Sequence, residues 1–408
     1  MPPLPPVPPG ADGARAWVQA HLGDLVDGPV TASGRFRGGQ VAADTALAAY
    51  DVGGYAGSRS QVEPPGARGA SALSPWIRHG LLPLPRVWAH VAGGPGQDVR
   101  RFRDELLWQE YARHLYARLG PALAKPLRYE QVRVADPWAG DPVPREMACL
   151  AAVRDELDAD GWLVNQSRLW VAGQWVARAG ADWRQGEDWL YRRLIDGSRA
   201  TNRLGWQWAA GTGSGKPYGF SRWQVEKRAP GLCRRCPLEA ACPVREWPAL
   251  PGPVPVDAPD PLLRSDPDPE VTGGPRVPRV DGNPAAVWLH AESLGSDDPA
   301  LAAHPGLPAV FVFDEPLLRR LRLAGRRLVF LAETLAVLAD ERPLLVRRGA
   351  VGAELAVVGP VATTFAPVPG WHRTAARVRP AVVHPWPWLR RPHGGPIASY
   401  SSWARRAR

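Results

Sequence analysis

The sequence predicts an all-α domain over residues 14–247, a linker over 248–284, and a smaller α/β domain over 285–391. Three observations carry this reading. Apolar residues recur at helical spacing between Arg15 and Trp247, without the alternation of strands. The stretch 248–284 holds 11 prolines in 37 residues, which suits a linker and not a packed core. After it, the short apolar runs 285–289 and 309–313 read as buried parallel strands. An amphipathic helix over 327–338 and a third run at 344–346 complete a strand–helix–strand alternation.

In chain order, residues 1–13 are rich in proline and glycine and are expected to be disordered. A helical pattern with glycine interruptions follows to about Gly57. Ser71 and Ser74 then lead into a helix with Pro75 in its first turn. Such a start is an ordinary cap, but its N–H groups and hydroxyls also suit a phosphate. The helix over 102–119 sets Glu105, Trp108 and Gln109 within about one turn. An acid, an aromatic and an amide so placed fit first an amphipathic surface helix, and second a surface that reads a nucleobase. A helix over 145–157 carries Cys149. The stretch 161–213 is the centre of the chain: it contains seven of the 19 tryptophans, with Arg168, Asp196 and Asn202 set in an apolar helical pattern. Polar groups there need partners, because each unpaired one costs about 1–3 kcal/mol. Either a satisfied tryptophan-rich core or a bound, flat, redox-active ligand supplies them. Residues 392–408 are expected to form a loose tail.

The formal net charge is +10, and almost every basic residue is arginine, whose planar fork suits phosphates. From Gly161 to Trp247 there are 14 Lys/Arg against 7 Asp/Glu, so a basic surface for nucleic acid is expected. No apolar run approaches the ~18 residues that a membrane span needs, and the opening MPPLPPVPPG lacks a signal-peptide pattern. The expectation is a cytoplasmic protein, without membrane contact and monomeric.

Cys233, Cys236 and Cys242 lie within ten residues, and Cys149 stands 84 positions before the first of them. In a cytoplasmic chain such clustering reads as metal binding. Four thiolates satisfy zinc or an iron–sulfur cluster. The compact triplet with Pro243 after its last cysteine favours [4Fe–4S] over zinc.

Residues 45–215 resemble the flavin-binding domain of the DNA photolyase/cryptochrome family. The likeness rests on Gly161-Trp-Leu-Val-Asn165 with Arg168, on Asp182-Trp-Arg-x-Gly186-Glu187, and on Leu194-Ile-Asp-Gly197 with Asn202 and Gly205-Trp-Gln-Trp-Ala-Ala210. Ser71-Ala-Leu-Ser-Pro75 and Glu105-Leu-Leu-Trp108 match too, and the cysteine set resembles that of the bacterial iron–sulfur branch. The resemblance implies FAD held by Tyr55, Ser71, Leu73 and Ser74, by an Arg168–Asp196 ion pair, and by Ser198 and Asn202, with Asn202 facing flavin N5. It implies Trp206 as the tryptophan nearest the flavin in an electron path and Trp183 as the middle one, with Trp138 the candidate for the outermost. Arg59, Glu105, Trp108, Gln109, Trp162 and Asn165 match the region that receives a flipped pyrimidine dimer in damaged DNA. The implied activity is light-driven repair of that dimer. Four positions depart from the pattern: Gln109 and Gln166 stand where arginine is usual, Ser198 where an acid is common, and Ala70 for a threonine. They favour a repair-inactive, cryptochrome-like sensor or redox flavoprotein as the alternative. The 286–349 motifs resemble the family's α/β domain, which there comes first. The implied architecture is thus a circularly permuted one, with a truncated, Rossmann-like α/β domain at the C-terminus. The stretch His290-Ala-Glu-Ser-Leu-Gly295 replaces the usual charged segment and argues against an antenna chromophore.

Overall fold

The computed structural model describes residues 2–132, 134 and 137–407. Its first half is helical. The long helix Gly96–Leu119 packs on the helix Arg199–Ala209, which also packs on Trp183–Arg193 and Asn165–Gly173, and the latter meets Ala148–Asp160. Between Gly173 and Ala179 the backbone widens into a π-turn, Gln174–Arg178. Glycines allow the closest approaches here. A Cβ on Gly186 would lie 2.2 Å from the Trp206 ring, and one on Gly173 would lie 2.9 Å from the Tyr218 carbonyl.

The second half is built on one sheet. Its strands are β1 (Arg279–Val280), β2 (Ala286–Leu289), β3 (Ala309–Asp314), β4 (Leu344–Gly349), β5 (Val361–Thr364) and β6 (Val382–His384). The order is β1-β6-β5-β2-β3-β4. All pairs are parallel except β1–β6. β2 and β5 are buried at every position, as expected of strands covered on both faces. Chain direction across the sheet reverses between β2 and β5, the switch point of a doubly wound fold. The run 355–358, open between helix and strand in the sequence, ends the helix Val351–Val358.

The two halves share a continuous apolar core. The helix Gly10–Leu22 belongs by contact to the sheet half, not to the helical half in which the sequence placed it. It packs on the helix Gly325–Glu341, with Trp17 against Phe313 at 5.9 Å. Arg327, buried on that second helix, donates to the carbonyls of Tyr191 and Leu194 in the helical half.

Three segments expected to be loose are docked. Residues 2–9 run extended, and Leu4 N–H donates to the Val346 carbonyl while Pro5 accepts from Trp17 Nε1 at 2.9 Å. The proline-rich linker lies along the helical half: Glu130 N–H donates to Val254 O, Val256 N–H donates to Arg128 O, and Asp266 pairs with buried Arg118. The tail folds onto the Gly96–Leu119 helix. Trp403 is fully buried and donates to His114 Nδ1 at 2.7 Å, and Tyr111 Oη donates to the Ile397 carbonyl at 2.8 Å. In each case a few apolar or aromatic anchors hold a chain whose composition is otherwise that of a loop. No helix among the described residues is long and apolar enough to cross a membrane.

Candidate functional site

The polar residues of the tryptophan-rich stretch come together. Asp196, at the end of the loop after helix Trp183–Arg193, accepts from Arg168 at 2.7 Å and from Ser74 Oγ at 2.6 Å. Ser74 in turn accepts from Trp162 Nε1 at 2.9 Å. The Asp196 side chain is 3% exposed, so the arginine is the charge partner that burial demands. Its second oxygen, Oδ1, is buried and has no hydrogen-bond partner within the chain. Next to Ser74, Ala72 sits at φ 55°, a left-handed conformation that is costly for a residue with a Cβ. Leu73 is fully buried, Ser71 half-buried, and Tyr55 is buried edge-on against Phe102 at 5.0 Å. An orphaned carboxylate oxygen beside a strained Ser71–Ser74 turn fits a ligand with hydrogen-bond donors and a phosphate, such as a dinucleotide.

Asn202, 8% exposed on helix Arg199–Ala209, donates through Nδ2 to the backbone carbonyl and the carboxylate of Glu187, at 2.9 and 3.1 Å. Its amide nitrogen is thereby committed, leaving Oδ1 as the end able to accept from a ligand N–H. Glu187 is itself buried against Arg199 and Arg203. Burial pushes its carboxyl up, and these arginines offset that. Ser198, half-buried, precedes the same helix without a side-chain cap bond.

The residues expected to contact substrate divide. Arg59 pairs with Glu105 at 3.7 Å, and burial raises the Glu105 carboxyl. Trp108 lies one turn further along the helix, stacked on Tyr400 of the tail at 4.1 Å with a 9° tilt. Gln109 is half-buried beside it, and Asn165 is exposed at the start of its helix. Trp162 lies apart from this group: it is buried, bonded to Ser74 and packed on Phe36 at 5.7 Å, so its neighbours are those of the Asp196 network. Gln166 donates to Tyr218 Oη at 2.9 Å.

Sequence reasoning missed several aromatics. Trp208 and Trp247, 43% and 47% exposed, flank Tyr218 at 5.3 and 5.6 Å, an open platform of the kind on which bases stack. Trp206 is in ring contact with Trp175 at 5.9 Å, and Trp175 with Trp189 at 6.0 Å. Trp183 is buried, and no ring contact joins it to Trp206 among the described residues. Trp138 is half-buried, with its backbone N–H donating to Arg178 O.

Cys149, Cys233, Cys236 and Cys242 line one small cavity of about 20 Å³, together with Arg222, Glu239 and the apolar side chains of Met147, Val225 and Val244. The helix Ala148–Asp160 supplies the first and the 233–242 loop the rest. Among the described residues, no three His, Cys, Asp or Glu side chains converge on a single-ion position. A lone zinc needs sulfurs at about 2.3 Å from one point, whereas thiolates around a cluster stand farther apart. Burial, then the three other cysteines, push the Cys149 thiol up to about 12.

Comparisons with known proteins converge on the same elements. Residues 149–227 match the family model described as the FAD binding domain of DNA photolyase. A deoxyribodipyrimidine photo-lyase of Vibrio cholerae is 32% identical over 168 residues, 38% of this chain and 36% of that protein. A cryptochrome DASH of Idiomarina loihiensis is 28% identical over 214 residues, 48% of this chain and 46% of that protein. A crystal structure of a class III photolyase from Agrobacterium tumefaciens has 28% identity and a TM-score of 0.40, covering 46% of this chain and 42% of that one. The chain thus spans less than half the length of these relatives. The Asp182–Glu187 and Leu194–Ala210 motifs, folded around the Asp196 network, lie inside the region that matches the FAD binding domain of DNA photolyase, and over part of its length the chain is similar to photolyases and cryptochrome DASH.

Proposed function

We propose that this protein is a light-driven, FAD-dependent DNA photolyase that splits pyrimidine dimers. The observation that carries the reading is the buried Arg168–Asp196–Ser74 network, with its unpartnered carboxylate oxygen and the left-handed Ala72 beside it. FAD, when bound and reduced, supplies the photoexcited electron that opens the dimer. The chain's own groups do the rest. Asp196 Oδ1 would accept from the ring system, with Arg168 as the charge partner of the carboxylate. The Ser71–Ser74 backbone and hydroxyls hold phosphate, and Tyr55 and Leu73 wall the site from water. Asn202 would offer its free oxygen to the ring system, and Ser198 stands at the start of the same helix. Glu105, Gln109 and Asn165 would meet an extruded base with hydrogen bonds, and Trp108 would meet it with a ring. Extrusion is least costly at a damaged step. Arg59 and the 161–247 basic surface take backbone phosphates, with Trp208, Tyr218 and Trp247 stacking neighbouring bases.

The cysteine cavity would hold a [4Fe–4S] cluster, a reading supported by the four cysteines that line it and by the compact 233–242 triplet with Pro243 after its last cysteine. Its role is structural, tying helix Ala148–Asp160 to the 233–242 loop, with zinc as the alternative occupant. The sheet half, following the helical half in the chain, is read as the permuted and shortened counterpart of the family's α/β domain, without an antenna chromophore.

The test is direct. Purified protein should show a flavin spectrum with a cluster shoulder. After reduction and blue light it should remove thymine dimers or (6-4) lesions from oligonucleotides. A flavin-bearing protein that leaves both lesions intact would favour the second reading, a cryptochrome-like photosensor or redox flavoprotein. Tyr400 lying over Trp108, and glutamines at 109 and 166, are the observations on its side.

A further inference from the structure

Arg178, the last residue of the π-turn, reaches from the tryptophan-rich stretch to the cysteine loop. Its Nη1 donates to the Pro243 carbonyl at 3.0 Å, and its Nη2 donates to the carbonyls of Phe220 and Glu246 at 2.7 and 2.6 Å. Pro243 directly follows Cys242, and Phe220 stands two residues before Arg222, which lines the same cavity. One side chain thus ties the π-turn to two segments that wall the cysteines. Residues 242–246 lie outside helix and strand, so these bonds replace the regular ones that would otherwise fix Cys242. A second strut joins the two segments directly, Arg222 N–H donating to the Val244 carbonyl at 2.6 Å. The residue type suits the task. A guanidinium presents five N–H donors in a rigid planar fork, which a lysine ammonium does not. The π-turn supplies the aim: Ala179 N–H donates to the Gln174 carbonyl, five residues back, and such turns are frequent at functional sites.

Carbonyls satisfy the hydrogen bonds of Arg178 but carry no full charge. Burial lowers its guanidinium from the ordinary value, and Cys242 and Cys149, as thiolates, offset that. Those two cysteines come from different elements, Cys149 from the helix Ala148–Asp160 and Cys242 from the loop. Resting on the cluster reading above, we infer that Arg178 is a positioning residue of the cysteine site: its fork holds the Cys242 loop in register with Cys149, and its charge favours the more negative state of whatever the four thiolates bind. The two effects separate. The fork acts through geometry and governs how readily metal is lost. The charge acts through the field and governs the reduction potential. Dithionite, oxidised to sulfite, supplies one electron without a proton, and the negative charge so added is favoured by a guanidinium nearby.

The experiment compares the full chain, purified without oxygen, as wild type, R178K and R178Q. Iron, sulfide and zinc are counted, iron loss to bathophenanthroline is timed, and dithionite titration followed by electron paramagnetic resonance gives the potential. R178Q should lose iron about tenfold faster or more, as the removal of charged hydrogen bonds implies. Its reduction equilibrium should move about tenfold toward the oxidised form, a fall of about 59 mV for one electron. R178K keeps a charge but not the fork, so it should lose iron faster while its potential stays near that of the wild type. That split would not arise from a general loss of stability. R178K, the variant closest in size and charge, keeps the test decisive if R178Q fails to fold. Iron held by R178K as long as by the wild type, or an unchanged potential in a folded R178Q, would overturn the inference and leave the cluster in place. A wild-type protein holding zinc in place of iron and sulfide, or no metal at all, would overturn the cluster reading and the inference with it.

Discussion

Replacing Tyr400 with alanine should tighten binding to lesion-bearing DNA. Trp108 is the ring expected to meet an extruded base, and in this structure Tyr400 already lies on it, nearly parallel at 4.1 Å. A base can take that face only by displacing the tyrosine. An offset aromatic pair contributes about 0.5–1.5 kcal/mol beyond its buried area. A base on an aromatic side chain contributes about 1–3 kcal/mol, so displacement is favourable but carries that cost. Removing the competitor should return it, which corresponds to binding tighter by about 2- to 12-fold. Fluorescence anisotropy with a thymine-dimer oligonucleotide and its undamaged counterpart measures the change. The gain should be larger on the damaged strand and should vanish when Trp108→Ala is added. Circular dichroism would show that the tail remains docked through Trp403. Unchanged or weaker affinity in a folded Y400A protein would refute the reasoning, because Tyr400 would then not compete with DNA for Trp108.

Other outcomes follow from the same contacts. Asp196→Ala strands Arg168 beside a buried surface and should destabilise the protein by about 3–5 kcal/mol, with the flavin-to-protein absorbance ratio falling as well. Acid should loosen the tail. Burial pushes His114 down to about 3, and the ring is held neutral, accepting from Trp403 Nε1 and donating to the Arg390 carbonyl. Its folded pKa lies below its ordinary value of 6.5, so its contribution is complete above pH 6.5. That contribution is lost as pH falls from there toward 3, at up to about 1.4 kcal/mol per unit. Limited proteolysis within 392–399 across that range measures it, and H114Q should flatten the profile. Cys236→Ala should lower iron content and melting temperature together, as metal analysis and calorimetry would record; unchanged values for both would remove the cluster's structural role.

What was legible in the sequence was chemistry out of place. Arg168, Asp196 and Asn202 stood out because ionic and amide groups rarely sit in a tryptophan-rich helical pattern without partners, and the structure brings Arg168 and Asp196 into one network. The four cysteines stood out by clustering, and they line one cavity. The sheet was legible because β2 and β3 are uninterrupted apolar runs. What was not legible depended on geometry that a periodicity of 3.6 cannot express. Trp175 falls in a π-turn, and the extra residue there rotates every later side chain relative to the regular helix. Helical spacing therefore gave no sign that Trp175 would meet Trp206.

The docked tail shows the same limit in another form. Composition reports how readily a segment folds on its own, and 392–408 has too little apolar surface to do so. It does not report whether a finished surface elsewhere will receive it. The signals were present but split between distant segments. His114 and Arg118 lie on the inner face of a helix, where a buried imidazole and a buried guanidinium need partners, and Ile397 and Trp403 interrupt a polar tail. Arg118 finds Asp266 of the linker and the carbonyls of His393 and Gly395, and His114 finds Trp403. One helix therefore holds both supposedly loose segments, and its next turns toward the N-terminus carry Trp108 and Glu105. Whatever loosens the tail at His114 also uncovers Trp108. Acidification and the Y400A substitution should thus act on one equilibrium, and the affinity gain from Y400A should shrink as pH falls below 6.5.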